Sequence, residues 1–229
     1  MEIIHSTGVE GARHALGIAV VIDVLRSFTV SAYALHGGAR ECRLVTTTDE
    51  ARALAAAIHG SVLCAEENAL PLPGIPISNS PTQIVKSDLF GRVLVQRSTA
   101  GTPVAAAVSA GVDIYAASLV VARATVQACL SRSPSTLTLI ASADHPEDHA
   151  CARYMEAIIR GEEPHLEEWL EPLRESDRFR RVMGGAWPGF PPTDVALALS
   201  PDCLDFSMPV TREHGFLRLT KGGPTPARG

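Results

Sequence analysis

Short apolar runs that stop abruptly at a polar residue, each followed by an Ala-rich stretch of helical spacing, recur along most of this chain. The clearest is Ile18-Ala-Val-Val-Ile22, ended by Asp23. A strand that is apolar on both faces has to be covered on both, as strands of a parallel sheet are. Residues 27–35 then read as a helix stopped at Gly37-Gly38, where glycine accommodates the turn that ends a helix. The rhythm continues with a strand at 43–45, a helix at 49–59 opened by a Thr46-Thr-Thr48-Asp49 cap and closed by Gly60, and a strand at 61–65. A Pro-, Asn- and Ser-rich loop occupies 66–81. Beyond it come strands at 92–96, 112–116 and 136–141, with helices at 102–110, 119–130 and 149–160. Such alternation predicts a three-layer α/β/α fold on a largely parallel or mixed sheet.

The charged stretch 162–181, with Trp169 and Phe179, reads as a surface helix, and the Gly/Pro-rich 184–192 as an ordered loop. Residues 196–199 and a final strand at 215–219 close the pattern. We expect one α/β domain over 1–220, which could also divide into two similar halves at about residue 90. Residues 221–229 are expected to be a disordered tail.

Composition narrows the function. At 229 residues the chain can bury about 70% of its unfolded surface, and 46% hydrophobic with 20% charged residues is a globular balance. Twenty Lys and Arg against 25 Asp and Glu give a net charge of −5. That argues against nucleic acid as a partner, since its binding needs a clustered basic face. Only Lys86 and Lys221 are lysines, so the positive charge is nearly all arginine, whose planar fork suits phosphate and carboxylate. The five cysteines form no C-x-x-C pair, which suggests neither a zinc knuckle nor a disulfide framework. No apolar stretch approaches the roughly 18 residues of a membrane span, and the first 14 residues lack a signal-peptide pattern. No membrane partner and a cytoplasmic location are expected. The Ala-rich helix faces allow a homodimer without requiring one.

Ligands of open α/β sheets gather at the carboxyl ends of the strands, and that rule selects four loops. Asp23-Val-Leu-Arg26-Ser27 offers a carboxylate suited to a hard cation and a guanidinium suited to an oxyanion. Arg97-Ser98-Thr99-Ala100-Gly101-Thr102 puts hydroxyls and a glycine at a helix start, although it lacks the P-loop pattern and its lysine. Asp144-His145-Pro146-Glu147-Asp148-His149 offers carboxylates for Mg²⁺, with an acidic helix cap and a zinc site on His145 and His149 as alternatives. Ser78-Asn79-Ser80-Pro81 is turn chemistry, preceded by Glu66 and Glu67. On residues alone, these loops indicate an oxyanion ligand with a divalent cation, and they name no reaction.

In order and spacing the loops resemble the 2-phosphosulfolactate phosphatase (ComB-like) family. The family's D-V-L-R-A-[ST]-[ST] is similar to Asp23-Val-Leu-Arg-Ser-Phe-Thr29, its G-E to Glu66, and its G-N-S-P to Ser78-Asn-Ser-Pro81. Its T-T-N-G-T is similar to Ser98-Thr-Ala-Gly-Thr102, and its E-D pair to Glu147-Asp148. The resemblance implies a Mg²⁺-dependent phosphatase acting on a small anionic phosphomonoester, 2-phosphosulfolactate or a related phosphorylated hydroxy acid. It implies Asp23, Arg26 and Glu147 as catalytic, and Asp23, Glu147 and Asp148 as metal ligands. Substrate would meet Ser27, Asn79, Ser80, Ser98, Thr99, Gly101 and Thr102. Four positions depart from the pattern: Ala100 for Asn, Ser78 for Gly, Glu67 for a basic residue and Phe28 for Thr. Ala100 and Glu67 leave open a non-catalytic anion-binding module on the same scaffold, and His145 and His149 an enzyme of another class, such as a zinc hydrolase.

Overall fold

The structure is a computed structural model in which residues 1–223 are described. Its strands are β1 (Glu2–Thr7), β2 (Ile18–Ile22), β3 (Glu41–Val45), β4 (Val62–Glu67), β5 (Leu70–Pro71), β6 (Val93–Arg97), β7 (Asp113–Ala117), β8 (Thr136–Ala141), β9 (Met208–Glu213) and β10 (Phe216–Leu219). All ten join in one sheet, in the order β1-β8-β2-β7-β9-β10-β3-β6-β4-β5. Two parallel groups, β1-β8-β2-β7 and β3-β6-β4, flank a central antiparallel hairpin. That hairpin, β9–β10, pairs antiparallel with β7 on one side and β3 on the other. The sheet is therefore mixed.

Helices cover both faces, as strands like β2, buried at every residue, require. One face packs on Gly8–Arg13, Ser27–His36 and Gly101–Ala107. The other takes Ala122–Ser131 and Pro146–Arg160 at one end and Thr48–Ala57 at the other. The last of these opens on a capping box. Thr47 Oγ1 accepts from Glu50 N at 3.1 Å, and the Glu50 carboxylate accepts from Thr47 N at 2.9 Å.

Ser27–His36 is buried on nearly all sides, eight of its ten residues being inaccessible, and the buried Thr29 and Ser31 hydroxyls donate to Val24 O and Gln96 Oε1. Asp23, just beyond β2, nevertheless touches the loop beyond β6 (below), five places away in the sheet. At a typical strand spacing that is about 24 Å across a flat sheet. The sheet therefore curls around this helix, and the curl brings distant strand ends to one place.

Several expectations change. Strands from either side of residue 90 interleave in the sheet: β2 pairs with β7 and β8, and β3 with β6. The 162–181 stretch is three short helices, Leu166–Trp169, Glu171–Arg174 and Asp177–Met183. Pro172 has no N–H with which to extend the first, and Ser176 caps the third by accepting from Phe179 N at 3.1 Å. Residues 196–198 end the helix Pro192–Ala198. The expected tail starts too early: Gly222 N donates to Ser207 O at 2.8 Å, and Lys221 Nζ lies 4.6 Å from the centre of the Phe206 ring. The rest of that expectation, 224–229, lies outside the described residues. No helix among the described residues is long and apolar enough to cross a membrane.

Candidate active site

Asp23 extends the ladder of β2, its N donating to Ala117 O at 3.1 Å, so its side chain sits at the rim of the sheet. Oδ1 accepts from Ser27 N at 2.9 Å, which starts the central helix. The carboxyl is almost wholly buried. Burial pushes its pKa up to about 6, helped by the Glu66 charge and opposed by the Ser27 hydrogen bond and the Arg178 guanidinium. Gly101 is needed here: a Cβ on it would lie 2.6 Å from Asp23 Oδ2 and 2.9 Å from Ser27 Cβ.

Arg26 is as deeply buried. Nη1 donates to Gly189 O at 2.6 Å and to Asp194 Oδ2 at 3.0 Å, and Cζ lies 3.9 Å from the centre of the Phe190 ring. Burial draws its pKa down, and Asp194 opposes the shift. Nη2 has no partner.

Glu147 and Asp148 open the helix Pro146–Arg160 and are both buried. Asp148 Oδ1 accepts from Val24 N at 2.8 Å and Oδ2 from the Ser142 hydroxyl at 2.9 Å. Its pKa lies well above the usual carboxylate value, first through burial and then through the charges of Asp23 and Glu147. Glu147 Oε1 accepts from Arg178 Nη1 at 2.5 Å, while Oε2 has no partner. Arg178 Nη2 also donates to Leu25 O at 2.8 Å, so this guanidinium joins the Asp23 loop to the acidic helix start.

On the opposite side, Glu66 organises the Ser98–Thr102 turn. Its Oε1 accepts from Thr99 N at 2.6 Å, and Oε2 from the Thr99 hydroxyl at 3.1 Å and from Ala69 N at 2.5 Å. Ser98 and Thr102 bond reciprocally, each main-chain N donating to the other's hydroxyl at 3.0 Å. Gln96 Nε2 donates to Ser27 O at 2.8 Å and to Asn79 Oδ1 at 3.0 Å, tying two of the four loops to β6.

A cavity of about 240 Å³ lies among these groups. Of the residues expected at the site, Asp23, Arg26, Asn79, Ser98 and Thr99 form its wall. Ser27, Ser80, Gly101, Thr102, Glu147 and Asp148 stand behind it. They carry hydrogen bonds or allow close packing, and the wall residues take the direct positions. His145 is on the wall, its pKa lowered by burial and then by the Arg178 charge. His149 is not: its Nε2 lies 2.8 Å from Asp144 Oδ1 on the surface. Of the two histidines, only His145 thus lines the cavity.

Five wall residues went unread in the sequence: Asn68, Ala69, Ser142, Arg178 and Trp187. Arg178 and Trp187 come from the 162–192 region, where only polarity and Gly/Pro content were visible. Of the departures from the family pattern, Ala100 is on the wall, Glu67 points to solvent and Phe28 is core. The Ser78 hydroxyl donates to Gly189 O at 2.9 Å.

The chain matches the family described as 2-phosphosulpholactate phosphatase over residues 5–172. A protein of Bacillus subtilis (strain 168) named "Probable 2-phosphosulfolactate phosphatase" is 30% identical over 211 residues, 89% of this chain and 92% of its own length. A protein of the same name from Thermoplasma acidophilum is 28% identical over 165 residues, 70% of this chain and 74% of its own. These matches place the chain among the phosphatases, enzymes that hydrolyse a phosphomonoester. It belongs to the 2-phosphosulfolactate phosphatase family.

Proposed function

We propose that this cavity hydrolyses a small anionic phosphomonoester, 2-phosphosulfolactate or a related phosphorylated hydroxy acid. The observation that carries the reading is the wall itself: two buried carboxylates, Asp23 and Glu66, share a single cavity with two guanidinium groups, Arg26 and Arg178. Arginines bind phosphoryl oxygens and stabilise the charge on them as the ester bond breaks. Without a cation, burial raises the Asp23 pKa towards neutrality, so this carboxyl can carry a proton that a bound cation would displace. The Ser98 and Thr99 hydroxyls and the Asn79 amide give the remaining polar contacts.

Mg²⁺ is part of this proposal. Among the described residues no cluster of three or more His, Cys, Asp or Glu is arranged to enclose a metal. Mg²⁺ does not require one, being held by one or two carboxylates together with substrate phosphate and water. Asp23 and Glu66 are the wall carboxylates and would hold it, with Asp148 and Glu147 supporting from behind. When bound, the ion would neutralise charge on the phosphoryl oxygens.

The test is phosphate release from a panel of phosphorylated hydroxy acids, 2-phosphosulfolactate included, with Mg²⁺ and with EDTA. Turnover by the wild type should exceed that of Asp23→Ala and should fall with EDTA. A wild type no faster than Asp23→Ala on every ester overturns the phosphatase reading. Phosphate binding without turnover would instead mark an anion-binding module, and activity untouched by EDTA would remove the metal.

A further inference from the structure

Asp194 lies outside the matched residues 5–172, yet it makes one end of a fully buried ion pair with Arg26. The two side chains are 0% and 2% exposed. Such a pair is costly to desolvate and persists only where further hydrogen bonds complete it. Asp194 has them: Oδ1 accepts from the Ser80 hydroxyl at 2.7 Å and from Thr82 N at 2.9 Å, leaving Oδ2 for Arg26 Nη1. Nη1 is fixed a second time by Gly189 O, and the guanidinium plane is held against Phe190. Both hydrogen bonds fall on Nη1. Nη2, buried in a residue of the cavity wall, has no partner, and a buried donor left unmade costs free energy until something accepts from it.

We propose that Asp194 is a positioning residue: it locks the Arg26 fork so that Nη2 is held ready for an oxygen of the anionic ligand. The inference rests on the phosphatase reading of the cavity and adds to it. It also gives the Asn79-Ser80-Pro81 turn a task, because Ser80 holds Asp194 and need not touch the ligand.

The probe is inorganic phosphate, titrated calorimetrically into the full chain and into Asp194→Asn, Ser80→Ala, Arg26→Met and Arg26→Met/Asp194→Asn. A charge-assisted hydrogen bond that is no longer aimed should weaken phosphate binding about tenfold in Asp194→Asn. KM for the ester should rise with it, while kcat changes less. In the Arg26→Met background the Asn substitution should have no further effect. Asp194→Asn leaves a buried cation uncompensated, so its folding is checked by a circular dichroism melt. If it does not fold, Ser80→Ala, which keeps the ion pair, carries the test with an expected loss of about threefold. Unchanged phosphate affinity in folded variants, or an Asp194 effect that persists without Arg26, overturns the inference and leaves the functional reading standing. A wild type that binds no phosphate and turns over no ester overturns both.

Discussion

Holding the Asp23 carboxyl away from water has a cost that pH reveals. Its folded pKa, about 6, lies above the usual 3.8. Below about pH 4 both the folded and unfolded chains carry the proton, and the stabilisation is fully present. As pH rises through about 6 the unfolded chain has already ionised, and the advantage is lost. Asp148 acts in the same direction. In EDTA, Asp23→Asn should therefore be about 3 kcal/mol more stable than wild type at pH 7, with no gain at pH 4 and no phosphate release. Calorimetric melts between pH 4 and 8 decide this, and a stability gain that does not shrink in acid would refute it. Arg178→Met should cost about 3–5 kcal/mol by stranding Glu147 inside, whereas Glu147→Gln/Arg178→Met should recover most of it. Urea unfolding of the two variants gives the comparison. Asp23 was legible because a lone carboxylate ends five apolar residues. Arg178 was not, since Arg178, Arg180 and Arg181 look alike in sequence and only a partner 31 residues away selects the first.

At the scale of elements, signal followed burial. The strand β2 and the helix Ser27–His36 were readable from an unbroken apolar run and a Gly-Gly stop. β1 was missed because only three of its six residues are even half-buried and none is fully so. β9 was hidden by Pro209 at its second position, since proline speaks against an inner strand. The site loops were legible as loops, but their convergence depends on the curl of the sheet, and no local pattern encodes that. Two helix starts should respond in opposite ways. Gly101→Ala forces a Cβ against Asp23 and Ser27, so turnover should fall at least about tenfold, as expected when a reacting group is displaced. Thr47→Ala, which breaks the capping box, should cost about 1 kcal/mol of stability and leave kcat and KM unchanged. Steady-state kinetics beside thermal melts separate the two; altered kinetics in Thr47→Ala would show that the helix Thr48–Ala57 matters to the site.

For the molecule as a whole, the β9–β10 hairpin is the joint. Within the sheet it lies between the parallel group that carries Asp23 and the group that carries Glu66 and Ser98. Removing residues 208–223 should therefore abolish the cooperative melt, not merely lower its midpoint, because both groups lose an inner neighbour. A truncated chain that still melts cooperatively would show that the halves are self-sufficient. The same placement matters while the chain is being made. Leu44 of β3 pairs with Leu217 of β10, so the inner edge of β3 stays open until the rest of the sheet has been synthesised. At about 5–20 residues per second, that wait is on the order of ten seconds. Once β7 has also been made, the nascent chain presents two unpaired strand edges, on β3 and β7, to neighbouring polypeptides. Slower delivery of the β9–β10 hairpin should therefore lower the yield of folded protein.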